Sequence, residues 1–364
     1  MVEAYKPLTD EQVKAIALDY YVKRAGKTTA QDEPRMVLVG GQPGAGKSQA
    51  SMLAKSELRE QGGYIHIDAD RMRERIPLGN SKPTSQETQA DAGKLVQALR
   101  ELAVANRRNI LEEGTYKEPE GAERFVAGKR EQGYNIEMLA VATPREQSLL
   151  GIYIRHELQH QAKADNPRMV AETYHDDAMR GFENTLTKAG VVLDRTRVID
   201  RGGNVLFDSQ AQGRGNVLEA LAEGRKLTDD KLKETADVWA ETREMAAQRQ
   251  APPSYQATLQ GHHKRIEEMQ KERIHGHAMN QLDANAATLA RDAKYAQHTG
   301  DELAKAAYFR GFYEKASEFK GIAPDFAKFD ATAADRQTLR QFPDVSDLDG
   351  RAMPKQRAHD GNSL

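Results

Sequence analysis

Apolar residues along the chain follow two different spacings, and the switches between them mark where strands and helices belong. Met36-Val37-Leu38-Val39 is a short unbroken apolar run, as a strand buried on both faces requires. Tyr64-Ile65-His66-Ile67, Asn109-Ile110-Leu111 and Ile136-Glu137-Met138-Leu139-Ala140-Val141 repeat that signal. Between them the apolar positions recur three and four apart, as at Leu95, Val96, Leu99 and Leu102, which predicts helices. Thr9 and Gln12 stand at capping-box spacing ahead of Val13, Ile16, Ala17, Tyr20 and Tyr21, so a helix is predicted over 9–24. Strands alternating with helices predict an α/β fold, a parallel sheet with helices on both faces. Val198 to Phe207, broken at Gly202-Gly203-Asn204, predicts a hairpin that closes the sheet.

Beyond about residue 210 the strand signals stop, and Ala, Gln, Lys and Glu dominate. Helices are predicted at 227–248, 256–273, 277–296 and 300–319. The expected organisation is an N-terminal helix within 1–30 packed on a core at 31–208, then a mainly helical region at 209–342. The segment 343–364 has no apolar periodicity and is expected to be disordered. No repeat of fixed period is present.

Composition narrows the possible functions. The chain of 364 residues holds 53 Lys+Arg against 55 Asp+Glu, a formal net charge of -2, so nucleic acid is not an expected partner. The absence of cysteine excludes disulfides, zinc–thiolate sites and a cysteine nucleophile. No run of 18 apolar residues exists, so no membrane span is expected; with no basic-then-apolar leader pattern, a cytoplasmic location is expected. A mean hydropathy of -0.75 implies that part of the chain has little core.

The main chemical signal is Gly41-Gln42-Pro43-Gly44-Ala45-Gly46-Lys47-Ser48, which fits the phosphate-binding pattern G-x-x-x-x-G-K-[ST]. Glycines let successive backbone N–H groups converge on phosphate oxygens, and the positive end of the following helix adds to their pull. Lys47 is expected to reach the β- and γ-phosphates of ATP, and the Ser48 hydroxyl to ligate Mg²⁺. The loop follows the strand at 36–39 and precedes a helix-compatible stretch, which is the context the motif needs.

Further polar residues cluster at predicted strand ends, where a doubly wound sheet opens its cleft. Ile67-Asp68-Ala69-Asp70-Arg71-Met72-Arg73 offers two carboxylates that alternation would lean to one side; either could take a hydroxyl proton, and Asp70 could instead cap a helix. Glu112-Glu113-Gly114-Thr115 puts two acids after a strand, where Glu113 could hold a hydroxyl-rich substrate or a metal-bound water. Arg155 lies in a helical pattern and Arg168 follows thirteen residues later, and either could neutralise a migrating phosphoryl group.

Taken together, the loop, the IDAD-x-x-R stretch, the EEGT strand end, and the order and spacing of Arg155, Arg168 and His175 resemble the zeta-toxin family of bacterial toxin–antitoxin systems. The resemblance covers roughly residues 10–208. It implies a P-loop kinase that phosphorylates UDP-N-acetylglucosamine on a sugar hydroxyl with ATP and Mg²⁺, and an antitoxin protein as partner. It implies that Asp70 is the base, that Glu113, Thr115 and Arg73 line the sugar-nucleotide side, and that Arg155 and Arg168 meet the transferring phosphate. His175 stands where the family often has a histidine, with its role open. Glu112 departs from the usual apolar residue there, and the region after 210 lies outside the resemblance. His262-His263 and His275-Gly276-His277 in that region lack the ligand spacing of a metal site. Two rival readings are a P-loop kinase for another acceptor (an antibiotic, a nucleoside or a nucleic-acid end) and a nucleotide-dependent scaffold.

Overall fold

The computed structural model describes residues 4–291, apart from 82, 85, 165, 166, 191 and 214. Helix α1 (Asp10–Ala25) opens with the capping box its sequence predicts, Thr9 and Gln12 exchanging side-chain-to-backbone hydrogen bonds. The chain continues through β1 (Arg35–Gly40), α2 (Lys47–Glu60), β2 (Ile65–Asp68), the short α3 (Ala69–Arg73), α4 (Gln89–Ala105) and β3 (Ile110–Gly114). Next come α5 (Pro119–Glu131), β4 (Asn135–Ala142), α6 (Arg145–Gln161), α7 (Glu172–Ala189), β5 (Arg195–Asp200) and β6 (Val205–Asp208). The strands form one sheet in the order β2-β3-β1-β4-β5-β6, parallel except for the last pair, which is the predicted hairpin. The α/β expectation holds.

Alternation along the strands assigns each residue to a layer. Met36 and Leu38 of β1 pack with α1, α4 and α7, while Val37 and Val39 face Ala50, Ala54 and Leu58 of α2. One charged group interrupts these runs. Glu137 in β4 is buried, and its carboxylate takes hydrogen bonds from Arg197 and, at 2.8 Å, from Arg35. Arg197 also forks onto Glu57 of α2 at 2.7 and 2.9 Å, so the buried charges are paired.

The region after 208 differs from the expected appendage. Helices α8 (Ser209–Gln212), α9 (Val217–Gly224) and α10 (Asp229–Gln248) pack with the sheet domain, and packing divides the chain after Gln260 instead. Leu221 of α9 joins the core with Phe207, and Trp239 of α10 is buried against Tyr153 of α6, ring centroids 5.4 Å apart. The break expected between helices at 256–273 and 277–296 is absent, since α11 (Pro253–Arg291) runs through Gly276, which is tolerated within a helix; 292–296 lie outside the described residues. The expectations for 300–319 and 343–364 lie outside the described residues. No helix among the described residues is long and apolar enough to cross a membrane.

Candidate active site

Strand β1 has β3 on one side and β4 on the other, so chain order reverses there and a crevice opens at the carboxyl ends of the strands. The Gly41–Ser48 loop occupies that point and runs into α2. Gly44 (φ 75°) and Gly46 (φ 85°) adopt the left-handed backbone that turns the loop inward. At Gly44 space adds a second demand: a Cβ would sit 1.9 Å from the Ser148 carbonyl oxygen. Gly151 answers from α6, where a Cβ would meet the Gly44 carbonyl oxygen at 2.4 Å. Helix α6 therefore lies directly on the loop backbone.

A buried polar chain holds the loop from behind. Gln42 is fully buried and its Nε2 donates to the Thr143 carbonyl at 3.0 Å and to Ser148 Oγ at 3.2 Å. Ser148 Oγ lies 2.7 Å from His175 Nε2, and His175 Nδ1 lies 2.9 Å from Asp176, which Arg145 holds bidentately at 2.9 and 2.8 Å. The carboxylate selects the Nδ1–H tautomer, so Nε2 accepts the Ser148 proton. Burial keeps the His175 pKa below its usual value. This places His175 in the support of the loop.

Lys47 Nζ curls back to the carbonyls of Gly41 at 3.0 Å and Gln42 at 3.2 Å. Burial pushes its pKa down to about 8; Glu113 and Asp68 oppose the shift, while Arg168 and Arg155 add to it. Ser48 is exposed in the first turn of α2.

The acidic side follows from strand register. Asp68 of β2 pairs with Glu113 of β3, and both point to the α2 side of the sheet. Burial, followed by Glu113, raises the Asp68 pKa. Glu113 accepts from His66 Nε2 at 3.0 Å; burial opposes ionisation there, but His66 and Lys47 outweigh it and the pKa falls. Glu112 faces the opposite way and takes two hydrogen bonds from Arg100 of α4, at 2.8 and 2.7 Å, so it has a structural role away from the cleft. Thr115 lies half-buried beyond the end of β3. Strand β2 stops at Asp68, so the predicted alternation does not extend to Asp70. The capping role also moves: Asp68 caps α3 by accepting from Asp70 N at 2.8 Å.

Asp70 is thereby free for the cleft, where Arg73 contacts it at 2.5 Å and Arg168 also pairs with it. The Arg168 backbone is set by Gln159 of α6, which accepts its N–H at 2.6 Å. Arg155 has Nε and Nη2 buried with no hydrogen-bond partner among the described residues, and burial lowers its pKa. Three residues escaped the sequence reading. Gln159 anchors Arg168, His66 contacts Glu113, and Arg201 beyond β5 donates to the carbonyls of Gly44 and Gln147, both at 3.0 Å. The available signal for Arg201 was its place just past a predicted strand.

For a divalent ion, the candidate ligand atoms of His66, Asp68 and Glu113 lie within 4.8 Å of one another. Mg²⁺ takes oxygen ligands and keeps several waters, so Ser48, Asp68 and Glu113 fit it and His66 does not.

A phosphate loop at the switch point of a parallel sheet, faced by carboxylates and desolvated arginines, defines a kinase-like P-loop protein. The zeta toxin family model matches residues 19–212, more than half of the chain, and the chain belongs to that family. It is 26% identical over 227 residues to Toxin PezT of Streptococcus pneumoniae serotype 4, covering 59% of this chain and 88% of PezT. It is 24% identical over 242 residues to Toxin zeta of Enterococcus hirae, covering 64% of this chain and 83% of that toxin. A solved structure from the PezAT chromosomal toxin–antitoxin system of S. pneumoniae shares the fold, with a TM-score of 0.58 at 21% identity over 67% of this chain and 100% of that one. The family match ends at 212, so α9, α10 and α11 lie beyond it.

Proposed function

We propose that the protein transfers the γ-phosphoryl group of ATP to a sugar hydroxyl of UDP-N-acetylglucosamine, and acts as the toxin of a toxin–antitoxin pair. The observation that carries the kinase reading is Arg155, a half-buried guanidinium whose buried Nε and Nη2 lack partners, beside the desolvated Lys47. Buried cations without counter-charges are costly, and a triphosphate supplies the missing anion. The acceptor and the antitoxin partner rest on family membership.

In this reading the loop amides and Lys47 hold the β- and γ-phosphates. Asp70 begins paired with Arg73 and Arg168. As Arg168 turns to the γ-phosphoryl group, Asp70 is released to take the proton of the acceptor hydroxyl. The hydroxyl oxygen bonds to phosphorus, the bond to the β-phosphate oxygen breaks, and ADP leaves. Glu113, Thr115 and Arg73 position the acceptor. Ser48, with Asp68 and Glu113 through water, would hold Mg²⁺, which supplies charge neutralisation on the phosphates.

The test is mass analysis of UDP-N-acetylglucosamine after incubation with protein, ATP and Mg²⁺. The expected result is a gain of one phosphate, absent with Lys47→Ala and lowered about 10²–10⁴-fold with Asp70→Asn while ATP still binds. ADP formation with phosphate on a different acceptor would replace the substrate assignment. ATP binding with no transfer to any acceptor would overturn the kinase reading and favour a scaffold.

A further inference from the structure

Residues 156–160 read His-Glu-Leu-Gln-His, an H-E-x-x-H pattern that phosphoryl transfer does not use. On a helix this spacing puts both imidazoles on one face, where they can share a metal ion; in zinc peptidases the glutamate then acts as general base. The five residues lie within α6. His156 Nε2 and His160 Nε2 are 3.2 Å apart, with ring centroids 4.6 Å apart and planes at 86°. Two imidazole nitrogens on one tetrahedral zinc, each about 2.0–2.1 Å from it, are separated by about 3.3–3.4 Å. The pair already stands at nearly that bite.

Glu157 is not poised for catalysis. It is buried, with Arg249 Nε and Nη2 held on its two oxygens at 2.6 and 2.8 Å. Both oxygens are engaged by Arg249, so the motif lacks the free base a peptidase needs. Among the described residues the only close group of three or more candidate ligands is His66, Asp68 and Glu113, so no third side chain joins the histidine pair. A metal held by this pair would take water at its remaining positions.

We infer that His156 and His160 form a binding site for a borderline divalent metal of the Zn²⁺, Co²⁺ or Ni²⁺ type, separate from the nucleotide cleft and without peptidase activity. The inference is independent of phosphoryl transfer. Because Gln159 lies between the two histidines and holds the Arg168 backbone, metal binding would stiffen the turn of α6 that sets this arginine.

The experiment uses full-length, tag-free protein stripped of metal, titrated with Zn²⁺ by calorimetry and with Co²⁺ by visible absorption. The expected result is one equivalent bound with micromolar affinity, weakened about tenfold or more by His156→Gln or His160→Gln and unchanged by His263→Gln. Zn²⁺ should raise the melting temperature of the wild type and not of the two variants. A second measurement needs no variant: Zn²⁺ should protect His156 and His160 of the wild type from diethylpyrocarbonate, mapped by mass spectrometry. Equal Zn²⁺ affinity in wild type and His160→Gln, or no protection of the pair, overturns the site and leaves a histidine–histidine hydrogen bond only.

Discussion

Arg249→Ala tests whether residues beyond the family match belong to the working enzyme. Glu157 has only 1% of its side chain exposed and Arg249 25%, joined by two charge-assisted hydrogen bonds. Breaking a fully buried pair costs about 3–5 kcal/mol, because the surviving charge is stranded. Arg249 is partly open to water, which lowers the expectation to about 2–3 kcal/mol. Its guanidinium also lies 5.3 Å from the Tyr255 ring centroid, worth about 0.5–1 kcal/mol. A total near 3 kcal/mol should be read by urea unfolding at pH 7.

The pH dependence separates a stranded charge from simple loss of packing. In the wild type, burial raises the Glu157 pKa, and Arg249 first, with Tyr255 and His156 adding to it, more than reverses this, so the folded value lies below the usual 4.5. That stabilisation is fully present above 4.5 and is lost as pH falls through the folded value. In Arg249→Ala the carboxyl is buried without its cation and its pKa rises above 4.5, so it is penalised at pH 7 and relieved as acid protonates it. The gap between wild type and variant should therefore narrow between about pH 7 and pH 5, and adding Glu157→Leu should recover much of the loss at pH 7. A deficit under about 0.5 kcal/mol, or one that does not change with pH, refutes the reasoning.

Gly44→Ala places a methyl group 1.9 Å from the Ser148 carbonyl oxygen at a φ of 75°, so ATP affinity measured by calorimetry should fall by more than about tenfold. Arg155→Ala removes a half-buried cation whose buried Nε and Nη2 lack partners: single-turnover phosphoryl transfer should fall about 10²–10³-fold while the melting temperature rises, the opposite of what a stabilising arginine would show. Because the Lys47 pKa is lowered to about 8 without nucleotide, ATP affinity should decline as pH rises through that value, and Lys47→Arg, which stays charged, should lose this pH dependence.

Much of the fold was legible because buried strands must be apolar whatever follows them. The runs at 36–39, 64–67, 109–111 and 136–141 lie on β1 to β4, shifted by a residue or more at their ends. Glu137 sits inside one such run, and no local pattern could announce that Arg35 and Arg197, distant in sequence, would pair with it. Glu112 and Glu113 look alike in the sequence; the twofold period of the strand sends one to Arg100 and the other to the cleft. The fate of Asp70 turned on a single residue, since β2 ends at Asp68 and not two positions later. Beyond 208 the low average hydropathy concealed a few bulky anchors, of which Trp239 is fully buried.

Helix α6 shows why the cleft and the later helices cannot be separated. Ser148, Gly151, Arg155 and Gln159 recur at three and four residues, so they share one face. That face is polar, and it carries the contact with Gln42, the close approach to Gly44, the unpaired guanidinium and the anchor of Arg168. A helix with such an inward stripe gains little from burying it and must be held from its other side. Tyr153 and Glu157 provide that hold by engaging Trp239 and Arg249, both of which lie beyond the match that defines the family. Loosening the outer face should therefore change phosphoryl transfer before it changes nucleotide affinity. In the proposed reaction the loop should still grip the phosphates, because Ser148 near the start of α6 stays held by His175 and Asp176, while Arg155 and Arg168 would lose the position assigned to them at the migrating group.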